Sequence, residues 1–286
     1  MSDRVGLGWR GELSASILDR LDAIDVLEVI AEDWLHTPRA EQRALRSLAA
    51  ERPVILHGVA LGLASSLPAE GRRLDRMARL VNLVRPLAWS EHLAFVRAGG
   101  VEIGHLAAPP RTWATIDGAV ANLRRAAAVV GGLPAMENIA TLIDPPASSM
   151  GEGEWTCAIV RASDSPMLLD LHNLYANALN FDVDPQGLLC AMPLEKVSMV
   201  HLSGGRWLYP RDAGPRLLDD HLHDVPDPVF GLLEALAAKA PQPLTVIIER
   251  DGDYPEFAVI VRQLERAREA LTAGRSRSSP AARQAA

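Results

Sequence analysis

Six apolar runs in this sequence end in groups that a closed core does not accept unpaired. Residues 53–57 end in His57, 88–92 in His92, 134–138 in Glu137-Asn138, and 167–173 in Asp170, His172 and Asn173. Residues 197–201 end in His201, and 244–251 in Glu249-Arg250-Asp251. The loop after the 197–204 run adds Asp219 and His221. His57, His92, His201 and His221 supply imidazoles. Glu137, Asp170, Asp219 and Glu249 supply carboxylates, and Asn173 a spare amide. One divalent metal takes about four to six ligands, so a donor set of this size points to two or three metals with shared carboxylates. Mixed imidazole and carboxylate donors suit iron, manganese or zinc, and the lack of thiolates argues against an iron–sulfur cluster. Asp-x-His at 219–221 is weak by itself. The ordered series along successive runs carries the inference.

A single histidine at a strand end is ordinarily a hydrogen-bonded structural group, and His36 and His105 are assigned that role. Glu91 and Glu152 are expected to be solvated or to support a ligand. Glu28 and Glu32 share a face of the second run, as ligand support or as ion-pair partners. His172 stays open between an extra ligand, an acid/base and a loop histidine donating to a backbone carbonyl.

The elements that must position these groups are legible as alternating patterns. Strand-like runs at 5–9, 26–32, 53–59, 87–93, 134–139, 167–173, 197–204 and 244–249 alternate with helical segments. Those segments fall at 13–24, 38–51, 70–84, 112–130, 152–161, after a polar loop at 175–185, 228–239 and 255–271. Apolar strands without alternation belong to parallel sheets covered on both faces. Eight such units predict an α/β fold, a single (β/α)8 TIM-type barrel over residues 1–271. In such a barrel the carboxyl-terminal ends of the strands form the active face. Residues 272–286 are rich in Ala, Ser and Arg, lack an apolar period, and are expected to be a disordered tail. An open doubly wound sheet is the alternative. No G-x-G-x-x-G or Walker turn follows the first strand to support it.

Composition narrows the function. The 286 residues are 48% hydrophobic and 23% charged, with a net charge of −7. That charge offers no bulk field for a phosphate backbone, so nucleic acid is not expected as a partner. The apolar runs fall short of the roughly 20 residues of a membrane span, and the first residues carry no signal-peptide pattern. Two cysteines, Cys157 and Cys190, make neither a disulfide framework nor a thiolate zinc site. A cytoplasmic protein is expected.

The donor series resembles that of the xylose-isomerase-like barrels, among which endonuclease IV carries a trinuclear zinc site. The local words are closer to the multinuclear non-heme iron-dependent oxidases, the MNIO family of MbnB and TglH. These words are His57-Gly58-Val59, Ser90-Glu91-His92-Leu93-Ala94-Phe95, Glu137-Asn138-Ile139, Leu168-Leu169-Asp170-Leu171-His172-Asn173, Asp219-Asp220-His221 and Glu249-Arg250-Asp251. The likeness runs from Gly6 to about Leu271. It implies a TIM-type barrel with two or three irons, O2 as co-substrate, and modification of a residue, most often cysteine, in a ribosomally made precursor peptide. A separate peptide-recognition protein is implied as a partner. The ligands carried over are His57, His92, Glu137, Asp170, Asn173, His201, Asp219, His221 and Glu249, with Glu137 and Asp170 as bridges. Asp170 and His172 are the catalytic candidates. The chain departs from the family pattern where His172 replaces an Asn, Gly205 a His, and Ile30 the His of the second strand. A zinc or manganese hydrolase or sugar isomerase on the same barrel is the alternative activity, and a non-catalytic metal carrier a third.

Overall fold

The computed structural model describes residues 2–98, 100–211 and 214–278. Its strands are β1 (Arg4–Gly8), β2 (Leu27–Ile30), β3 (Val54–Gly58), β4 (Ala88–His92), β5 (Phe95–Ala98), β6 (Val101–Ala107), β7 (Ala135–Glu137), β8 (Met167–Asp170), β9 (Val197–Leu202), β10 (Gly205–Leu208), β11 (Arg216–Asp219) and β12 (Thr245–Ile248). Eight of them close a barrel in the order β1-β12-β9-β8-β7-β4-β3-β2. The remaining four form two separate antiparallel ribbons, β5–β6 and β10–β11. The chain divides into two compact units.

One unit comprises residues 26–139 and 143–168. Its barrel strands pair in parallel, with Leu27 opposite Val54, Ile55 opposite Ala88 and Ser90 opposite Ala135. Every residue of β3 is buried. The helix Gly71–Val84 buries Leu74, Met77, Leu80 and Val84, one stripe at helical spacing. The helix Trp113–Val130 starts at a capping box between Thr112 and Thr115 and stops at Gly131, whose φ is +97°. Glu32 is not on the second strand with Glu28 but opens the short helix Glu32–Leu35. The β5–β6 ribbon fills a segment in which the sequence shows only a turn. Gly100 turns it with a φ of +83°.

The other unit comprises residues 1–25, 140–142 and 169–286. Here β12 pairs in parallel with β1 and β9, placing Val246 opposite Val5 and Val200. β8 ends at Asp170, earlier than the 167–173 run suggests, because Asp170 caps a helix. Its Oδ1 accepts the Asn173 N–H at 2.6 Å, and Leu171–Asn180 is helical. That helix also replaces much of the polar loop expected at 175–185. Its asparagines are spent on neighbouring backbone: Asn177 Oδ1 accepts from Thr141 N, and Asn180 both accepts from and donates to the backbone of Leu217. The last helix, Phe257–Ser278, runs on through the start of the segment expected as a tail. Residues 279–286 of that expected tail lie outside the described residues.

Candidate metal centre

In the first unit, β3, β4 and β7 each deliver one donor at their carboxyl-terminal ends. His57, His92 and Glu137 are all buried. Glu137 Oε2 lies 3.4 Å from His57 Nε2 and 3.2 Å from His92 Nε2. Donors bound to one ion at about 2.0–2.2 Å sit roughly 3–3.5 Å apart, so the spacing fits a shared metal. The other ring nitrogens are already engaged. His57 Nδ1 pairs with Ser90 Oγ at 2.8 Å, and His92 Nδ1–H donates to Gly58 O at 3.2 Å. Such partners fix ring orientation and leave Nε2 as the donor. The rings meet edge to face with centroids 4.6 Å apart.

Two further carboxylates hold this cluster's backbone. Glu91 is buried, not solvated; its Oε2 accepts from Leu61 N and its Oε1 from His92 N. Glu32 accepts from Val59 N and Ala60 N. Burial, and then the neighbouring Glu91 charge, push the Glu32 carboxyl up to about 7. Gly58 leaves room for this arrangement, since a Cβ there would stand 2.8 Å from Glu91 Oε2.

The second unit carries its own donors. Ligand atoms of Asp170, His201 and Glu249 lie within 4.8 Å of one another, and all three residues are buried. His201 Nδ1 is 2.9 Å from Glu249 Oε2. Asp219 and His221 sit beside them at the end of the β10–β11 ribbon. His221 Nε2 is 2.8 Å from Asp219 Oδ2, and its Nδ1 is 3.7 Å from Glu249 Oε2 and 3.2 Å from Asp251 Oδ2. Burial opposes charge on His221. The attraction of Glu249 and Asp219 and the hydrogen bonds to Asp219 and Asp251 outweigh it and hold its pKa well above the usual imidazole value. Burial likewise acts against the Asp219 carboxylate, but the His221 charge and the His172 hydrogen bond hold its pKa far below the usual range.

His172 is fully buried. Its Nδ1 bonds Asp219 Oδ1 at 2.8 Å, while its Nε2 has no hydrogen-bond partner among the described residues. Asp219 Oδ1 also accepts from Ser203 Oγ. Asn173 stands at the start of the helix that Asp170 caps and is buried. His36 and His105 are exposed, and His36 Nε2 lies 3.2 Å from Arg76 Nη1. Ser90 and Asp251 stand inside the sequence motifs, but the sequence alone gives neither them nor Ser203 and Arg10 a supporting role. Its serines are indistinguishable by type from ordinary polar residues.

A closed parallel barrel of eight strands with flanking helices is a TIM-type (β/α)8 fold, and this one carries buried imidazole–carboxylate clusters at its strand ends. Solved structures agree on the fold. A xylose isomerase domain protein from Alicyclobacillus acidocaldarius superposes with a TM-score of 0.61 at 17% identity, covering 96% of this chain and 99% of its own. Endonuclease IV from Thermus thermophilus gives 0.57 at 16%, covering 93% and 99%. Residues 4–272 match the family described as "RiPP precursor modification enzyme MbnB/TglH/ChrH", and the chain belongs to that family. Among its relatives are UPF0276 proteins. That of Streptomyces avermitilis is 37% identical over 276 residues, 93% of this chain but only 54% of the relative. This chain thus spans about half the length of that protein. The UPF0276 protein of Rhizorhabdus wittichii is 33% identical over 96% of this chain and 97% of its own length. Among the described residues no helix is long and apolar enough to cross a membrane.

Proposed function

We propose that residues 1–271 act as one multinuclear non-heme iron-dependent oxidase domain that uses O2 to modify a residue, cysteine first among the candidates, in a ribosomally made precursor peptide. The observation that carries this reading is the pair of buried donor clusters at strand ends in a member of a peptide-modifying family. Two or three irons are held by His57, His92 and Glu137 in one cluster and by Asp170, Asn173, His201, Asp219, His221 and Glu249 in the other. Iron supplies the redox chemistry and oxygen activation that no side chain provides.

The chain's own residues set the conditions for that chemistry. Ser90 and the Gly58 carbonyl hold the His57 and His92 rings with Nε2 presented. The Asp219 carboxylate takes the Nδ1–H of His172, leaving the lone pair of its Nε2 as a proton acceptor in a water-poor setting. Asp170 and His172 are assigned the proton handling. A separate recognition protein presents the peptide, and the protein works in the cytoplasm.

The test is metal content and Mössbauer spectroscopy on protein expressed with iron and purified without oxygen, followed by O2 uptake with the precursor peptide encoded nearby. Two or three irons per chain with peptide-dependent O2 consumption are expected. Zinc or manganese alone, with no iron taken up on reconstitution, would turn the reading to hydrolase or isomerase chemistry.

A further inference from the structure

We propose that the outer edge of β10 is a docking strand, on which an extended acidic segment of the peptide substrate adds as a third strand of the ribbon. This rests on the peptide-modifying reading above and names the way its substrate is held. The edge is identified by its partner. Trp207 stands opposite Leu217 in the antiparallel β10–β11 pair, between the pairs Arg206–Leu218 and Leu208–Arg216. Leu217 spends both backbone groups on Asn180: its N–H donates to Oδ1 at 2.7 Å, and its carbonyl accepts from Nδ2 at 3.0 Å. Those groups therefore point away from β10, and Trp207–Leu217 is a pair without mutual hydrogen bonds. The N–H and carbonyl of Trp207 point the other way, out of the ribbon, and meet no backbone partner there among the described residues. Asn180 closes the far side of β11, and β10 is left as the open edge.

The surroundings of this edge suit an extended peptide. Trp207 is 43% exposed and Tyr209 75%, so apolar contact is offered beside the free main-chain groups. Alternation puts Arg206 and Arg216 together on the other face of the ribbon, as diagonal neighbours. Arg206 Nε meets Asp220 Oδ2 at 3.3 Å, yet its side chain stays mostly exposed. Among the described residues, Arg216 donates to Pro215 O and has no carboxylate partner. A chain of net charge −7 thus carries a local basic face, which calls for carboxylates on alternate residues of its guest.

The edge also leads to the site. Two residues beyond Leu217, β11 ends at Asp219, whose carboxylate bonds His172. At about 3.4 Å per residue, that is roughly 7 Å along the strand. The residue facing Asp219 on β10 is Gly205, where a Cβ would stand 2.7 Å from His172 Cε1. A strand paired with Trp207 and continued past Gly205 delivers its next residues to His172 and Asp219. Main-chain bonds give such a complex its affinity, and alternate side chains its specificity.

The experiment uses the full chain and two fluorescent probes, a short alternating Glu–Val peptide and its Lys–Val counterpart. The Glu–Val peptide is expected to bind about tenfold more tightly than the other. Once bound, it should slow amide exchange at Trp207 and leave Leu217, already bonded to Asn180, unchanged. Trp207→Pro removes the N–H of the edge and should lose this binding. Arg206→Glu combined with Arg216→Glu should reverse the preference between the probes, and this variant keeps the test open if Trp207→Pro does not fold. Equal affinity for the two probes, a Trp207 amide unmoved by bound peptide, or no binding at all overturns the docking strand. So does a Trp207 amide protected in the free protein by a concentration-dependent dimer, which would give the edge to a second copy of the chain. None of these outcomes decides the oxidase reading, which stands or falls on iron content and peptide-dependent O2 uptake.

Discussion

His172 Nδ1 lies 2.8 Å from Asp219 Oδ1 and so shares that carboxylate with His221 on its other oxygen. Gly205 makes the approach possible: a Cβ there would stand 2.7 Å from His172 Cε1 and would collide with Leu218 O. The imidazole is thus delivered from the first turn of a helix into space that a side chain at position 205 would need. His172→Asn is expected to keep the metals, because none of the proposed ligands is removed. It should lower turnover of the peptide by about 100-fold, the low end of what a positioned acid/base contributes. Metal analysis beside single-turnover rates checks this, and unchanged turnover would reduce His172 to a packing role.

The His57, His92 and Glu137 cluster predicts a graded series. His92→Ala removes a donor and should empty that position on dialysis. Ser90→Ala removes only the group that orients His57, and an outer-shell loss of about tenfold in metal affinity is expected. Equal effects from the two substitutions would argue that Ser90 Oγ has a larger part than orientation.

Much of this was legible because a parallel barrel imposes a strong signature. β3 is buried throughout, and it turns polar only at His57, where the strand ends at the donor cluster. Less legible was the helix Leu171–Asn180. Asn173, Asn177 and Asn180 are weak helix formers by propensity, and the tertiary contacts to Thr141 and Leu217 override it. The two ribbons escaped for a different reason. β6 is mostly exposed, so it lacks the apolar alternation that marks a half-buried strand. Glu91 stayed open between a solvated acid and a ligand support because its partners, Leu61 N and His92 N, are backbone groups with no sequence signal.

Glu32 predicts a pH dependence in the metal-free protein. Its carboxyl moves from an ordinary 4.5 to about 7 on folding. A raised acid binds more protons folded than unfolded, so its contribution is fully present below about 4.5 and is lost as pH rises through 7. At about 1.4 kcal/mol per unit, wild type should lose up to roughly 3 kcal/mol relative to Glu32→Gln across that window. Denaturant unfolding of both proteins at several pH values reads the difference. Parallel curves would mean that Glu32 stays ionised throughout.

Metal loading should itself be pH-dependent, with a sign set by His221. In the metal-free chain Glu249 and Asp219 hold this imidazole protonated above the usual range. Its contribution to stability is therefore present below the unfolded imidazole value and is lost as pH rises through the higher folded one. A metal on the His221 ring must displace a proton. Below the folded pKa, each unit fall in pH should weaken binding at this position by about tenfold, and loading should release close to one proton from His221. Calorimetry of zinc binding in buffers of different ionisation enthalpy counts the proton, and chelator competition at pH 6, 7 and 8 gives the slope. His221→Ala should lose both the position and its released proton. If that variant still releases the same number of protons, the charge displaced by the metal sits on another residue, and the Asp219–His221 pair is not where the metal enters.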